Sequence, residues 1–209
     1  MLFTINCHYA KEKGMSVDNY LRKQLGRQGK AYVIGCLAEV RVADVDALLK
    51  SVKMRVKGVE VQLFDADRIA GRRHLEFAVL NALSALNQGY NISRSLPVEI
   101  MLYTSAQRQI QRAIELVGVT PETQNIAFIL IGDIGQSLQQ AQSILREATQ
   151  GITGDGILES RSEDKLRELM EAYNISRLEL ETERLGEVTD ADLLTSLILE
   201  KMALLVARS

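Results

Sequence analysis

Ser105 and His74 are the residues of this 209-residue chain that come nearest to covalent catalysis. Ser105 follows a strand-like run and opens a helix-like one, where a hydroxyl can be presented, and His74 is a base that folding could bring to it. No acid is evidently paired with the imidazole to complete a triad, so a serine-dependent hydrolase using Ser105 and His74 is an alternative rather than the main reading. Metal chemistry is short of ligands. Cys7 and His8 supply two, Cys36 lies far off, and no C-x-x-C or H-E-x-x-H occurs. Asp65 and Asp67 are spaced to share a cation, but at a strand-to-helix junction carboxylates usually cap the helix. Gly132 with Gly135, and GITGDG over 151–156, lack the lysine and the spacing of a phosphate cradle and read as turns. No catalytic residue, metal or cofactor is expected.

What the chain offers instead is a segment, YTSAQRQIQRAI from Tyr103 to Ile114, in which amide and guanidinium side chains ride on a helical apolar pattern. Arginine pairs with phosphate and stacks on bases, while amides discriminate base edges, so the segment has the chemistry of an RNA contact. A solvated helix face accounts for the same residues without a ligand. Globally, 25 basic residues against 27 acidic give a formal charge of -2, which leaves no overall field to draw nucleic acid. The charges are segregated, however. Lys57, Arg68, Arg72, Arg73, Arg94, Arg108 and Arg112 fall in the first part of the chain, and acidic residues crowd 159–192. No run approaches the roughly 20 apolar residues of a membrane span, and the apolar stretch at the start is too short for a signal peptide. A cytoplasmic protein without a membrane partner is expected.

The elements that must position these residues follow from periodicity. Short apolar runs predict strands over 31–40, 59–67, 98–103 and 125–132. Helical spacing predicts helices over 42–55, 71–89, from Thr104 onward, over 136–150, over roughly 163–173 and over 190–206. Thr104 with Gln107 fits a capping box, with Ala106, Ile110, Ala113, Ile114 and Val117 as the buried stripe beyond it; Thr189 with Asp192 fits a second N-terminal signal. The last helix is apolar nearly all the way round, which fits either a core helix or a docking element. The fold class is therefore α/β: a small mixed sheet with packed helices and a helical C-terminal portion, the pairing direction being open. Residues 1–31, polar, basic and punctuated by glycine, read as an N-terminal extension of unknown role, and 32–209 as a single domain.

The stretches VQLFDADRIAGRRHLEFAVLNAL, NISRSLPVEIMLYTSAQRQIQRAIELVGV and LILEKMALLVARS together resemble the kinase-binding accessory subunit of the KEOPS tRNA-modification complex, the TPRKB family, in its archaeal-type form. The specific parts are S-x-Q-R-Q-I from Ser105 to Ile110 and A-x-x-x-H-x-x-x-A from Ala70 to Ala78; the final E-K-x-A-L supports them. Archaeal-type relatives often carry glycine where Ala106 stands. The likeness covers residues 32–209 and leaves 1–31 outside. It implies a non-catalytic regulatory subunit that binds and stimulates the small RIO-like kinase and ATPase subunit. Through that kinase it implies indirect association with the transferase and dimerisation subunits, and through the 3′ acceptor end it implies tRNA recruitment for threonylcarbamoyladenosine formation on tRNAs reading ANN codons. On this resemblance Leu193, Leu194, Leu197, Ile198, Met202 and Leu205 form the kinase-docking stripe. Arg72, Arg73, His74, Asn91, Arg94, Ser95, Gln107, Arg108, Gln109 and Arg112 form the tRNA surface, with His74, Asn91 and Ser95 completing a pocket. A stand-alone RNA-binding module remains the other alternative.

Overall fold

A computed structural model describes residues 25, 30–133, 136–182, 184 and 188–207. Most of the extension and the Cys7–His8 pair lie outside the described residues. In chain order the elements are β1 (Lys30–Ala38), α1 (Val45–Arg55), β2 (Glu60–Asp65), a 3-10 turn (Ala66–Arg68), α2 (Arg72–Gln88), α3 (Leu96–Ser105) and α4 (Ile110–Val117). They continue with β3 (Ile126–Asp133), α5 (Gln136–Thr149), β4 (Ile152–Thr153), α6 (Asp155–Leu158), α7 (Glu163–Ala172), α8 (Arg177–Thr182) and α9 (Asp190–Ala207).

The strands form one sheet in the order β2-β3-β1-β4. β3 sits between β1 and β2, with Ile34 opposite Ile129 and Leu63 opposite Phe128. Every described pair runs antiparallel, which closes the pairing question as neither parallel nor mixed. The α/β class itself holds, because both sheet faces carry helices. Alternation along β3 sends Ala127, Ile129 and Ile131 to one face and Phe128 and Leu130 to the other. The first face packs on α2, α3 and the C-terminal helices; the second packs on Leu48 and Val52 of α1 and Leu138, Ala141 and Leu145 of α5.

Several helix ends are capped by side chains, two of them where the sequence signals it. The Asp44 carboxylate accepts the Ala47 N–H at 2.9 Å, and Thr189 accepts the Asp192 N–H at 3.2 Å. Asp65 accepts the Asp67 N–H at 3.1 Å, the capping role rather than a cation site, and burial raises its carboxyl above the usual range. Gly89 ends α2 at a φ of 77°, in the left-handed region where glycine carries no Cβ penalty.

The expected strand over 98–103 is instead helix α3. Pro97, in its first turn, has a φ already set for a helix, and the Glu99 carboxylate accepts the N–H groups of Ile92 at 3.2 Å and Ser93 at 2.6 Å. The helix is buried on most sides, from Pro97 through Ser105, so no apolar stripe distinguishes it from a buried strand. The Thr104–Gln107 capping box falls with that strand, since Thr104 and Ser105 end α3 rather than begin a helix. Their hydroxyls donate back to Ile100 and Leu102 carbonyls at 2.8 Å and 3.1 Å. Helix α4 then starts at Ile110, so only Ala113 and Val117 of the expected stripe are fully buried, while Ile110 and Ile114 are 47% and 45% exposed.

The break between α3 and α4 is Ala106, at a φ of 52°. An alanine there bears the left-handed strain of about 1–2 kcal/mol that glycine avoids. Ala106→Gly should therefore raise stability by about 1 kcal/mol in urea unfolding; a loss of that size would mean the strain is absent.

Candidate interaction surfaces

His74 is fully buried at the start of α2. Its Nε2–H donates to the Thr104 carbonyl at 2.9 Å and its Nδ1 accepts the Ala70 N–H at 3.2 Å, which fixes the neutral ring. Burial lowers its pKa to about 4, with Lys165 adding a like charge. Tyr173 meets it edge to face at 5.7 Å, and the phenol, whose own pKa burial raises, reaches the carbonyls of Thr104 at 3.0 Å and Arg68 at 3.2 Å. Lys165 donates to the Ile157 and Leu158 carbonyls at 2.9 Å and 3.1 Å, and burial lowers its pKa. These groups pin α2, α3, α6 and α7 together. His74 is therefore a core fastener and not an RNA contact, and Ser105, completely buried with its hydroxyl engaged by Leu102, is not presented to a substrate.

The remaining residues of the expected tRNA surface fall into three groups. Arg72 and Arg73 open α2, and Asn91, Arg94 and Ser95 lie beyond its other end, about 25 Å away along a 17-residue helix. The pocket of His74, Asn91 and Ser95 is therefore not assembled. Gln107, Arg108, Gln109 and Arg112 follow α3, whose end His74 ties to the start of α2. Even there the guanidinium groups diverge. The Asp192 carboxyl at the start of α9 is held low by the Thr189 hydroxyl first, then by Arg161, with Arg73 adding a smaller attraction, whereas Arg108 donates to the Leu205 carbonyl at 3.0 Å, thirteen residues and about 20 Å along that helix.

Two of these arginines have structural work. Arg72 pairs with Glu76 at 3.0 Å and reaches the Ile34 carbonyl on β1 at 3.0 Å. Arg108 neutralises carbonyls at a helix C-terminus, where a cation is favoured. Arg73 lies 5.4 Å above the Phe77 ring. Arg94, Ser95, Gln109 and Arg112 are exposed, and Asn91 and Gln107 are half-buried.

On the docking stripe, Leu193, Leu194, Ile198, Met202 and Leu205 are buried among the chain's own side chains, Ile198 and Met202 completely. The stripe is core because α9 lies across α2, α3 and α7, which cover most of its circumference. Leu197 is half-buried and Leu204 is 40% exposed.

A cleft of about 340 Å³ opens instead where α7, α8 and α9 meet. Leu166, Met170, Leu180 and Leu194 give it an apolar lining, and Glu163, Arg167, Arg177 and Asp190 supply charges of both signs. Its walls escaped the sequence reading, except Leu194. Helix α8 is six residues long, too short to show periodicity, and the acidic residues around it mask Leu180. The spacing of Leu166, Leu169 and Met170 was the available signal.

The fold is α/β, with an apolar cleft among its C-terminal helices and amide and arginine side chains along its edges. The sequence profile of the family described as kinase binding protein CGI-121 matches residues 40–205, and the chain belongs to that family. No curated protein matches the chain. Among the described residues, no helix is long and apolar enough to cross a membrane.

Proposed function

We propose that the chain is a non-catalytic subunit of a KEOPS-type complex, binding and stimulating its small RIO-like kinase and helping to recruit tRNA through the 3′ acceptor end. The complex would install threonylcarbamoyladenosine on tRNAs that read ANN codons, with the chemistry done by the transferase subunit. The observation that carries this reading is the kinase-binding family match across residues 40–205.

The kinase docks at the cleft between α7, α8 and α9 in this reading. A cleft of this size takes one or two large side chains from a partner, and an apolar floor inside a charged rim is the usual build of an interface centre. Met170, half-buried on the wall, is the side chain to change. Met170→Glu leaves the buried core of α9 intact and sets a carboxylate in the apolar lining of the cleft, where a partner side chain would have to pack. We expect at least a 100-fold loss of kinase affinity in a pull-down with purified kinase, with melting temperature shifted by only a few degrees. Undiminished capture would move the docking surface off the cleft.

For RNA, the exposed Gln109 and Arg112 of the α3–α4 region, with Gln107 beside them, are the accessible donors. Repeating the pull-down with and without tRNA separates an accessory subunit from a self-contained RNA binder, because the latter holds tRNA tightly with no kinase present.

A further inference from the structure

Helix α1 lies on the sheet face opposite α2, α3 and α9. Leu48 and Val52 face the sheet, Lys50, Lys53 and Met54 face away at i, i+3 and i+4, and Lys57 follows in the turn beyond the extended C-cap Val56. All four are exposed, Met54 to 68%. Between Ala47 and Val59 there are four basic residues and no acidic one, on a chain whose formal charge is -2. Arg55 is engaged by Glu147 of α5 at 3.0 Å. Among the described residues, no hydrogen bond or ion pair engages Lys50, Lys53 or Lys57. The acidic groups nearby are Asp46, one turn before Lys50, Asp133, whose carboxylate lies against Gly58, and Glu60 at the start of β2.

Lys50 and Lys53, on successive turns of α1, and Lys57 just beyond its end repel one another unless an anion lies across them. Lys50 and Lys53 are about 4.5 Å apart along the helix axis, and lysine is a mobile point charge suited to phosphate without reading sequence. A lipid surface fits poorly. The apolar side of α1 is spent on the sheet, leaving Met54 alone where an interfacial helix needs a whole apolar face.

We propose that Lys50, Lys53 and Lys57 form a contact for the phosphodiester backbone of RNA, separate from the α3–α4 edge and independent of sequence. The proposal rests on the RNA-recruiting reading above and extends it to a second face. It predicts that each lysine neutralises about one phosphate.

The test is anisotropy of labelled tRNA titrated with the full chain between 50 and 200 mM salt. For K50Q/K53Q/K57Q the plot of log affinity against log salt becomes shallower by about 2 to 3, so the parent loses about 15- to 60-fold more affinity than the variant across that range. All three positions are exposed, so the melting temperature stays put, and K50R/K53R/K57R keeps the parental slope.

A triple glutamine variant that binds tRNA with the parental slope overturns the proposal. If R112A alone flattens the slope, the RNA reading stands and the α1 contact falls. Binding by the parent that survives removal of the 3′ end, yet weakens in the triple variant, removes 3′-end recruitment and keeps the α1 contact. No binding by the parent at 50 mM salt removes both. Loss of self-association in sedimentation, with RNA binding intact, would instead assign the stripe to the acidic 159–192 portion of a second copy.

Discussion

Ile198→Asp unfolds the chain. The side chain is 0% exposed in the middle of α9, packed with Leu194, Leu199 and Met202 in the larger core. Removing a buried isoleucine costs about 2–5 kcal/mol through lost transfer and cavity, and a carboxylate with no cation beside it adds a further penalty of several kcal/mol unless it is protonated. The sum is comparable with the whole stability of a domain, about 5–15 kcal/mol. The expected result is insoluble protein or a lost cooperative transition in circular dichroism. Leu204→Asp, on the same helix but 40% exposed, should shift stability by less than about 1 kcal/mol. Were Ile198→Asp to fold with a parental melting curve and lose only the kinase, α9 would have to be a detachable docking element, and the cleft would not be the binding site.

Acid removes about 3 kcal/mol through His74 alone. Its folded pKa is about 4, because the buried ring resists charge, while in the unfolded chain it titrates near the ordinary 6.5. Above the unfolded value both states are neutral and the group contributes no pH dependence. As pH falls below it, the unfolded state takes up a proton that the folded state refuses. Stability is therefore lost between pH 6.5 and 4 and levels off below, the total being the pKa difference at about 1.4 kcal/mol per unit. Urea titrations at pH 7 and pH 4.5 measure it. The control is His74→Gln, whose amide retains one donor and one acceptor for Thr104 and Ala70 but cannot titrate. Its stability should change less between the two pH values, by about 2–3 kcal/mol. Equal pH dependence in the two proteins would mean the imidazole is reachable by water.

Three strands were legible because β1, β2 and β3 are short apolar runs bounded by polar residues, and the pattern of α2 ends on a glycine that the backbone uses. The Thr189–Asp192 signal was legible because a cap is local, settled by residues three apart. The strand expected at 98–103 failed for a reason of length and surroundings. A six-residue run with five apolar residues, buried on most sides, shows neither a period of two nor one of 3.6, and Pro97 with Glu99 decided for helix. The start of α4 moves with it, to Ile110, and Ile110 and Ile114 stand exposed rather than in the expected buried stripe.

The arginines show the same limit in the candidate site. Arg72, Arg108 and Arg112 look alike in sequence, yet one braces β1 through the Ile34 carbonyl, one closes the end of α9, and one stands exposed. Nothing within a few residues of each distinguishes them, since the acceptors lie 38 and 97 residues away for the first two.

By itself the sequence determined the α/β class, the family likeness and the lack of a completed catalytic or metal motif, all of which depend on residue types and on spacings within a turn or two. Tertiary structure alone decided which apolar stripe of α9 is core, that His74 is a fastener, where a cleft opens and which cations face solvent. Burial and charge pairing are properties of the neighbours that folding supplies, and those neighbours come from distant parts of the chain.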